Sequence, residues 1–262
     1  MTNNSNINID KIFIVSIPRT ASQPIRQKNL NLLKSNMKNI FHQSPETYGV
    51  DGNSLDSDMI KTMISQGKLK NRTSPQDFGK FNFRSGKNMI NLFETFFNVN
   101  KKSRNMTMGE VGCSLSHLGI FEKIVKNKYQ HTLILEDDAK LLCNANNFKN
   151  ELNKLFQEAP NNFYLISLFK HRDLAFNNAY TRYTQRNMVS NHLYRIHELT
   201  YGTVAYIITF EGALNMLKNL YPIRYPIDYA LSRECYLKKR GYVSSPPLID
   251  VCLYEQTTTR KY

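Results

Sequence analysis

Apolar positions along the chain fall into short β-branched or aromatic runs separated by stretches of helical periodicity, which is the pattern of an α/β fold. Residues 11–17, Lys-Ile-Phe-Ile-Val-Ser-Ile, form a compact run ended by Pro18 and predict a central strand. Ser22 stands where it can cap a helix whose first turn tolerates Pro24, and Ile25, Leu30, Leu33 and Met37 recur at roughly helical spacing as far as Lys38. Residues 46–50 predict a second short strand, Asp51-Gly52-Asn53 a turn, and Met59, Met63 and Ile64 a further helix.

From 67 to 108 the composition shifts to Lys, Arg, Asn, Ser and Gly, broken by Phe78, Phe81, Phe83 and the apolar cluster 89–99. Two readings stand for so long a connection: a lid or acceptor-binding excursion, or a solvated basic loop. Residues 109–128 give the clearest helix, with Val111, Leu115, Leu118 and Val125 on one face and Phe121 and Ile124 extending it. Through this helix runs a polar stripe, Glu110, Ser114 and His117, at i, i+4 and i+7. The apolar run 133–135 then stops abruptly at Glu136-Asp137-Asp138. Beyond it the pattern predicts a helix around 148–156, a buried strand at 163–169, a polar and aromatic excursion at 170–191, and a strand at 201–208 that opens on Gly202 and Thr203. A helix at 210–220 follows. Asp228 sits near the start of another helix running towards Lys238-Lys239-Arg240, and a last apolar run spans 248–253 before a polar tail at 255–262.

Composition changes this picture in one respect. The 262 residues carry a formal net charge of +14, and so large a positive field predicts affinity for polyanions: nucleic acid, an anionic membrane surface or phosphorylated substrates. No run approaches the roughly 18 apolar residues of a membrane-spanning helix, and residues 1–10 are polar and Asn-rich, so the chain reads as cytoplasmic and at most peripheral to a membrane. Cys113, Cys143, Cys235 and Cys252 form neither a Cys-x-x-Cys pair nor a zinc-spaced Cys and His set, and read as reduced packing thiols.

Candidate chemistry concentrates at strand ends. Ser16, Arg19 and Arg26 lie near the carboxyl end of the first strand as in a nucleotide-binding βα unit, although for each arginine alone mere solvation is the better reading, since exposed Arg is the rule. Asp51 could receive a ribose hydroxyl or belong to a plain turn. Three consecutive carboxylates cannot be buried without cations, so they suit a divalent ion held against a nucleotide's phosphates, or else a solvated acidic turn. His117 is either a satisfied core histidine or a site residue, and Asp228 alone is readable as a first-turn acid favoured by the helix dipole.

The run Gly109-Glu110-Val111-Gly112-Cys113-Ser114-Leu115-Ser116-His117, its separation from Leu135-Glu136-Asp137-Asp138-Ala139, and the later Gly202-Thr203-Val204-Ala205-Tyr206 together resemble glycosyltransferase family 25, the lipopolysaccharide and lipooligosaccharide glycosyltransferases with collagen galactosyltransferases as distant relatives. Ile14-Val15-Ser16-Ile17 with Arg26, Val50-Asp51-Gly52 and Pro226-Ile227-Asp228 fall where that family has corresponding segments. The resemblance implies a single GT-A-like α/β domain with a mixed, mostly parallel central sheet flanked by helices: a nucleotide-sugar-binding half over about 1–140 and an acceptor-binding half over about 141–262. It implies an Asp-x-Asp-like metal motif, here Glu136-Asp137-Asp138, in which Asp138 is the main ligand of Mn2+ or Mg2+ and Glu136 assists. The leading Glu136, where the family motif has Asp, leaves open which acids bind directly. Ser16, Arg19, Arg26, Asp51, Glu110, Ser114, His117, Asp137 and Thr203 are the implied donor-binding residues. Asp228 is the first candidate for the general base of an inverting transfer, with Glu234 in reserve.

The expected activity is transfer of galactose or glucose from a UDP-sugar to a lipooligosaccharide acceptor, with peripheral contact to an anionic inner membrane and no nucleic-acid partner. Two rivals remain: a non-enzymatic polyanion-binding protein, and a degenerate family member that binds a nucleotide sugar without transferring it.

Overall fold

Strand β1 (Lys11–Val15) and strand β3 (His131–Glu136) lie side by side within the sheet, parallel, with Val15 opposite Glu136. Both are short runs of Ile, Phe, Val and Leu buried on two faces, which is why they read as continuous apolar stretches in the sequence. The computed structural model describes residues 8–17, 23–69, 106–169, 185, 187–196 and 202–252. Within these, β2 (Glu46–Tyr48), β5 (Leu165–Ser167), β6 (Leu193–Tyr194), β7 (Ala205–Thr209) and β8 (Gly241–Ser244) complete a sheet of order β2-β1-β3-β7-β5-β8-β6. Pairings β1 to β2, β1 to β3 and β5 to β8 are parallel; β7 is antiparallel to both β3 and β5, and β6 to β8. Most strands thus share one direction, as expected of a mixed, mostly parallel sheet.

Side-chain alternation divides the core into two layers. On one face, Phe13, Val15, Ile134, Tyr206 and Ile208 pack against helix α3 (Met108–Asn127) and helix α5 (Phe210–Leu220). On the other, Ile12, Ile14, Leu133, Leu135 and Ile207 pack against α1 (Pro24–Phe41) and α4 (Ala145–Glu158). The shorter helix α2 (Ser57–Ser65) begins at Asp56, whose side chain accepts from the Asp58 and Met59 amides.

Helix α3 starts where local chemistry dictates. Thr107 caps it, accepting from the Glu110 amide, while Glu110 accepts in return from the Thr107 amide at 2.7 Å, a capping box. Its first turns lie against the turn Gly52–Ser54, and the approach is so close that a Cβ on Gly52 would stand 1.7 Å from the Met108 carbonyl oxygen, and one on Gly112 2.4 Å from the Gly52 nitrogen. Both positions therefore require glycine.

The structure differs from expectation in several places. The cap position of α1 is Gln23, with no side-chain cap, and Ser22 lies outside the described residues. The helix carrying Asp228 is short, α6 (Ile227–Leu231), and passes into a π-type turn (Ser232–Tyr236) instead of running unbroken to Lys238. Strand β4 (Ala139–Leu141) follows the acidic triplet directly and pairs with β9 (Ile249–Val251) in a separate two-stranded ribbon. Neither β4, β6 nor β8 has a readable sequence signal, each being only two to four residues long. The expected excursions fall largely outside the described residues.

Candidate active site

The carboxyl end of β3 lies between the end of β1 and the start of β7. The Glu136 amide donates to the Val204 carbonyl at 2.8 Å, and the Asp137 amide to the Val15 carbonyl at 3.0 Å. The three acids then separate by the alternation that divides the core. Glu136 follows Ile134 to the α3 face, while Asp137 follows Leu133 and Leu135 to the α1 face.

On the α1 face Asp137 is 1% exposed, and its carboxylate accepts from Ser16 Oγ at 2.8 Å and from Arg26 Nε and Nη2 at 3.1 and 2.5 Å. Asn29 Nδ2 donates to its carbonyl oxygen at 2.6 Å. Ser16, Arg26 and Asp137, read from the sequence as donor contacts, thus form a buried lock tying β1 and α1 to the acidic turn. The Ser16 and Arg26 side chains together satisfy a carboxylate that burial alone would penalise heavily.

On the α3 face the Thr203 hydroxyl donates to Glu136 Oε1, and His117 Nε2 stands 3.6 Å from the same oxygen. His117 is fully buried, and its Nδ1 is 2.6 Å from the Tyr206 hydroxyl, with the two rings stacked. Burial would raise the Glu136 carboxyl, but His117, Thr203 and the Arg26 charge outweigh it and hold the acid below its usual range. Gly202 makes the approach of Thr203 possible: its φ is +107°, and a Cβ there would stand 2.9 Å from the Phe169 ring.

Asp138 differs from its neighbours. Its Oδ1 is buried with no hydrogen-bond partner among the described residues. Burial, with the charges of Glu136 and Asp137, pushes its carboxyl up to about 7. An orphaned carboxylate oxygen beside a second, partly exposed carboxylate is a donor set for a hard divalent cation, and Asp138 with Glu136 could hold one.

Asp228 approaches from α6. Its Oδ1 accepts from the Tyr229 amide at 2.7 Å. Burial, followed by repulsion from Glu110 and Glu136, pushes its carboxyl up to about 6, against the lowering influence of the Tyr229 and Gly202 amides. Cys113 lies among the same acids: burial, then Glu136, Asp228 and Asp138, push its thiol well up. Glu136, Asp138, Asp228 and Glu110 are therefore one electrostatic cluster assembled from three separate segments, in which Asp138 and Asp228 are pushed up while Glu136 is held down, the kind of separation that acid and base work uses.

The remaining expected residues sit elsewhere or in other roles. Glu110 is engaged by the cap of α3, which the Thr107-x-x-Glu110 spacing signals. Ser114 is buried on α3, its hydroxyl unpartnered among the described residues, in a small cavity with Leu118, Leu220, Ile223 and Tyr225. Asp51 accepts from the Asn53 amide at 3.0 Å and caps the Gly52–Ser54 turn. Glu234 is 3% exposed and paired with Lys238 and, at 3.4 Å, with Arg233; no described contact joins it to the acidic cluster. Arg19 lies outside the described residues. Sequence reasoning passed over Tyr206, Asn29 and Cys113. Of these, Cys113 and Tyr206 lie in the segments that carry the family resemblance, and Cys113 also stands four residues from His117.

The model of the family described as glycosyltransferase family 25 (LPS biosynthesis protein) matches residues 11–231. Procollagen galactosyltransferase 1 of Danio rerio is 28% identical over 168 residues, 56% of this chain and 26% of that one. The probable inactive glycosyltransferase 25 family member 3 of Bos taurus is 28% identical over 130 residues, 48% of this chain and 20% of its own. The chain thus spans about a quarter or less of the length of these relatives. Among solved structures, an active-site mutant of LgtC aligns over 85% of this chain and 69% of that one at 10% identity and a TM-score of 0.33, too loose a likeness to carry an argument.

Proposed function

The chain belongs to glycosyltransferase family 25, and from that premise we propose that it is a metal-dependent, inverting hexosyltransferase of GT-A type, moving galactose or glucose from a UDP-sugar to a lipooligosaccharide acceptor. The observation that carries this reading is the meeting of Asp228, from α6, with Glu136 and Asp138, from the end of β3, in one electrostatic cluster. Transfer needs two functions at opposite ends of the bond being exchanged. One group manages charge on the departing diphosphate and another removes a proton from the attacking hydroxyl.

Asp138 and Glu136 would hold Mn2+ or Mg2+, which when bound neutralises charge on the leaving diphosphate. Thr203 and His117 fix the Glu136 carboxylate, and the Ser16, Arg26 and Asp137 lock fixes the turn that presents Asp138. Asp228 accepts the proton of the acceptor hydroxyl as that oxygen bonds to the anomeric carbon, and the anomeric carbon's bond to the diphosphate breaks on the opposite face. An acid held near 6 is ionised at neutral pH yet more basic than an ordinary aspartate, which suits a general base. The net charge of +14 supports a phosphorylated acceptor and contact with an anionic membrane surface. Among the described residues no helix is long and apolar enough to cross a membrane.

The test is incubation of the purified chain with UDP-galactose or UDP-glucose, Mn2+ and a lipooligosaccharide acceptor. The expected product is heavier by one hexose, with release of UDP. A second reading, a member that binds the donor without transferring it, has the probable inactive cattle relative in its favour. UDP binding without release of either sugar, to acceptor or to water, would select that reading.

A further inference from the structure

Helix α3 brings a different set of ligating atoms against the acidic turn. Cys113 and His117 are one helical turn apart on the same face, and Cys113 Sγ, a ring nitrogen of His117 and a carboxylate oxygen of Glu136 lie within 4.8 Å of one another. His117 is 0% exposed, and its Nε2 has no hydrogen-bond partner among the described residues, although it stands 3.6 Å from Glu136 Oε1. When Nδ1–H donates to the Tyr206 hydroxyl, Nε2 presents a bare lone pair to a carboxylate oxygen, two acceptors with nothing between them. A cation between the two atoms resolves that conflict; the other tautomer, with Nε2–H turned to Glu136 and Nδ1 accepting from the Tyr206 hydroxyl, is the metal-free arrangement that lowers the Glu136 carboxyl. An imidazole oriented through its other nitrogen is also the arrangement that metal-bound histidines adopt.

The donor set selects the kind of cation. Sulfur and imidazole favour zinc and its chemical relatives over magnesium or manganese, which prefer oxygen. Tetrahedral zinc at ordinary bond lengths places its ligand atoms roughly 3.3–3.7 Å apart. The 3.6 Å between His117 Nε2 and Glu136 Oε1 is within a few tenths of an ångström of that spacing. Carboxylates of Asp228 and Asp138 lie near enough to act on Cys113 and add to the field that attracts a cation.

We infer that Cys113, His117 and Glu136 form a binding site for a thiophilic divalent cation, zinc or cobalt, whose occupancy takes Glu136 away from the manganese or magnesium site proposed above. Only the second half of that statement rests on the transferase reading. On binding, the Cys113 proton passes to solvent, sulfur and nitrogen bond to the cation, and one coordination position stays open to water.

Titration of the metal-free protein with Co2+ tests it. The wild type should develop a sulfur-to-cobalt charge-transfer band together with the visible bands of tetrahedral cobalt. Cys113→Ser should abolish the charge-transfer band, with Cys113→Ala in its place should the serine variant fail to fold, and His117→Ala should weaken cobalt binding at least roughly tenfold. A variant with Cys143, Cys235 and Cys252 all changed to serine should keep the band. Its absence from the wild type, or its survival in Cys113→Ser, would overturn the site. In the second arm, Zn2+ should lower Mn2+-dependent UDP binding in the wild type but not in Cys113→Ser. A cobalt band with no effect of zinc would overturn the sharing of Glu136. Failure of UDP to bind at all would count against the transferase reading and leave the cobalt result standing.

Discussion

Asp228→Asn should make the protein more stable and far less active. The carboxyl of Asp228 is pushed from its ordinary 3.8 up to about 6, first by burial and then by Glu110 and Glu136. At 1.36 kcal/mol per pKa unit, keeping it ionised in the folded protein costs roughly 3 kcal/mol at neutral pH. The direction follows from linkage: the folded state binds the proton more tightly than the unfolded state, so this stability is present below about pH 4 and is lost as pH rises through about 6. Asparagine keeps the oxygen that accepts from the Tyr229 amide at 2.7 Å and removes the charge. Urea unfolding of the metal-free proteins should therefore show the variant ahead by up to about 3 kcal/mol near pH 7.5, the gap closing towards pH 4. Transfer should fall by about two to four orders of magnitude, the usual contribution of a general base. The wild-type rate should rise with pH through about 6. A variant less stable than the wild type at pH 7.5, or one that keeps its transfer rate, would refute the assignment, and in the second case Glu234→Gln becomes the variant to assay.

Arg26→Ala should destabilise the protein by about 3–5 kcal/mol in denaturant unfolding, because it strands the buried Asp137 carboxylate; a change below about 1 kcal/mol would mean that the lock is not structural. Asp138 is raised to about 7, so metal-free protein should lose stability as pH rises from about 4 to about 7, and Mn2+ at pH 8 should restore it; calorimetric melting with and without chelator measures both. Vesicles containing anionic lipid should pull the chain down on centrifugation at low salt and release it as salt rises, whereas neutral vesicles should not.

The fold was legible wherever a segment's pattern was long enough to carry its own period. Residues 11–17, 109–128 and 210–220 became β1, α3 and α5 within a few residues. Strands β4, β6 and β8 exist because neighbours pair with them, as Gly241–Ser244 does with β5 and β6, and nothing local distinguishes them from loop. For the candidate site, the sequence brought forward Glu136, Asp137, Asp138 and Asp228 but not their arrangement. Three adjacent acids are chemically equivalent in a sequence, and the two faces of the strand that carries them separate their roles. Asp137 turned to Arg26 on the α1 face, and Glu136 to Thr203 and His117 on the α3 face. Arg26 and Ser16, expected among the donor contacts, meet a buried carboxylate of the chain itself. The break in the helix after Leu231 had no signal either, since Ser232-Arg233-Glu234-Cys235-Tyr236 contains neither Gly nor Pro.

The proposed function requires the end of β3 to hold a divalent cation for a nucleotide diphosphate. Isothermal titration of UDP into the chain, with Mn2+ and with chelator, for the wild type and Asp138→Ala, tests it most directly. Binding by the wild type should require Mn2+ and should be lost in Asp138→Ala while the variant stays folded. Equal UDP affinity with and without Mn2+, or undiminished Mn2+-dependent binding in Asp138→Ala, would contradict it.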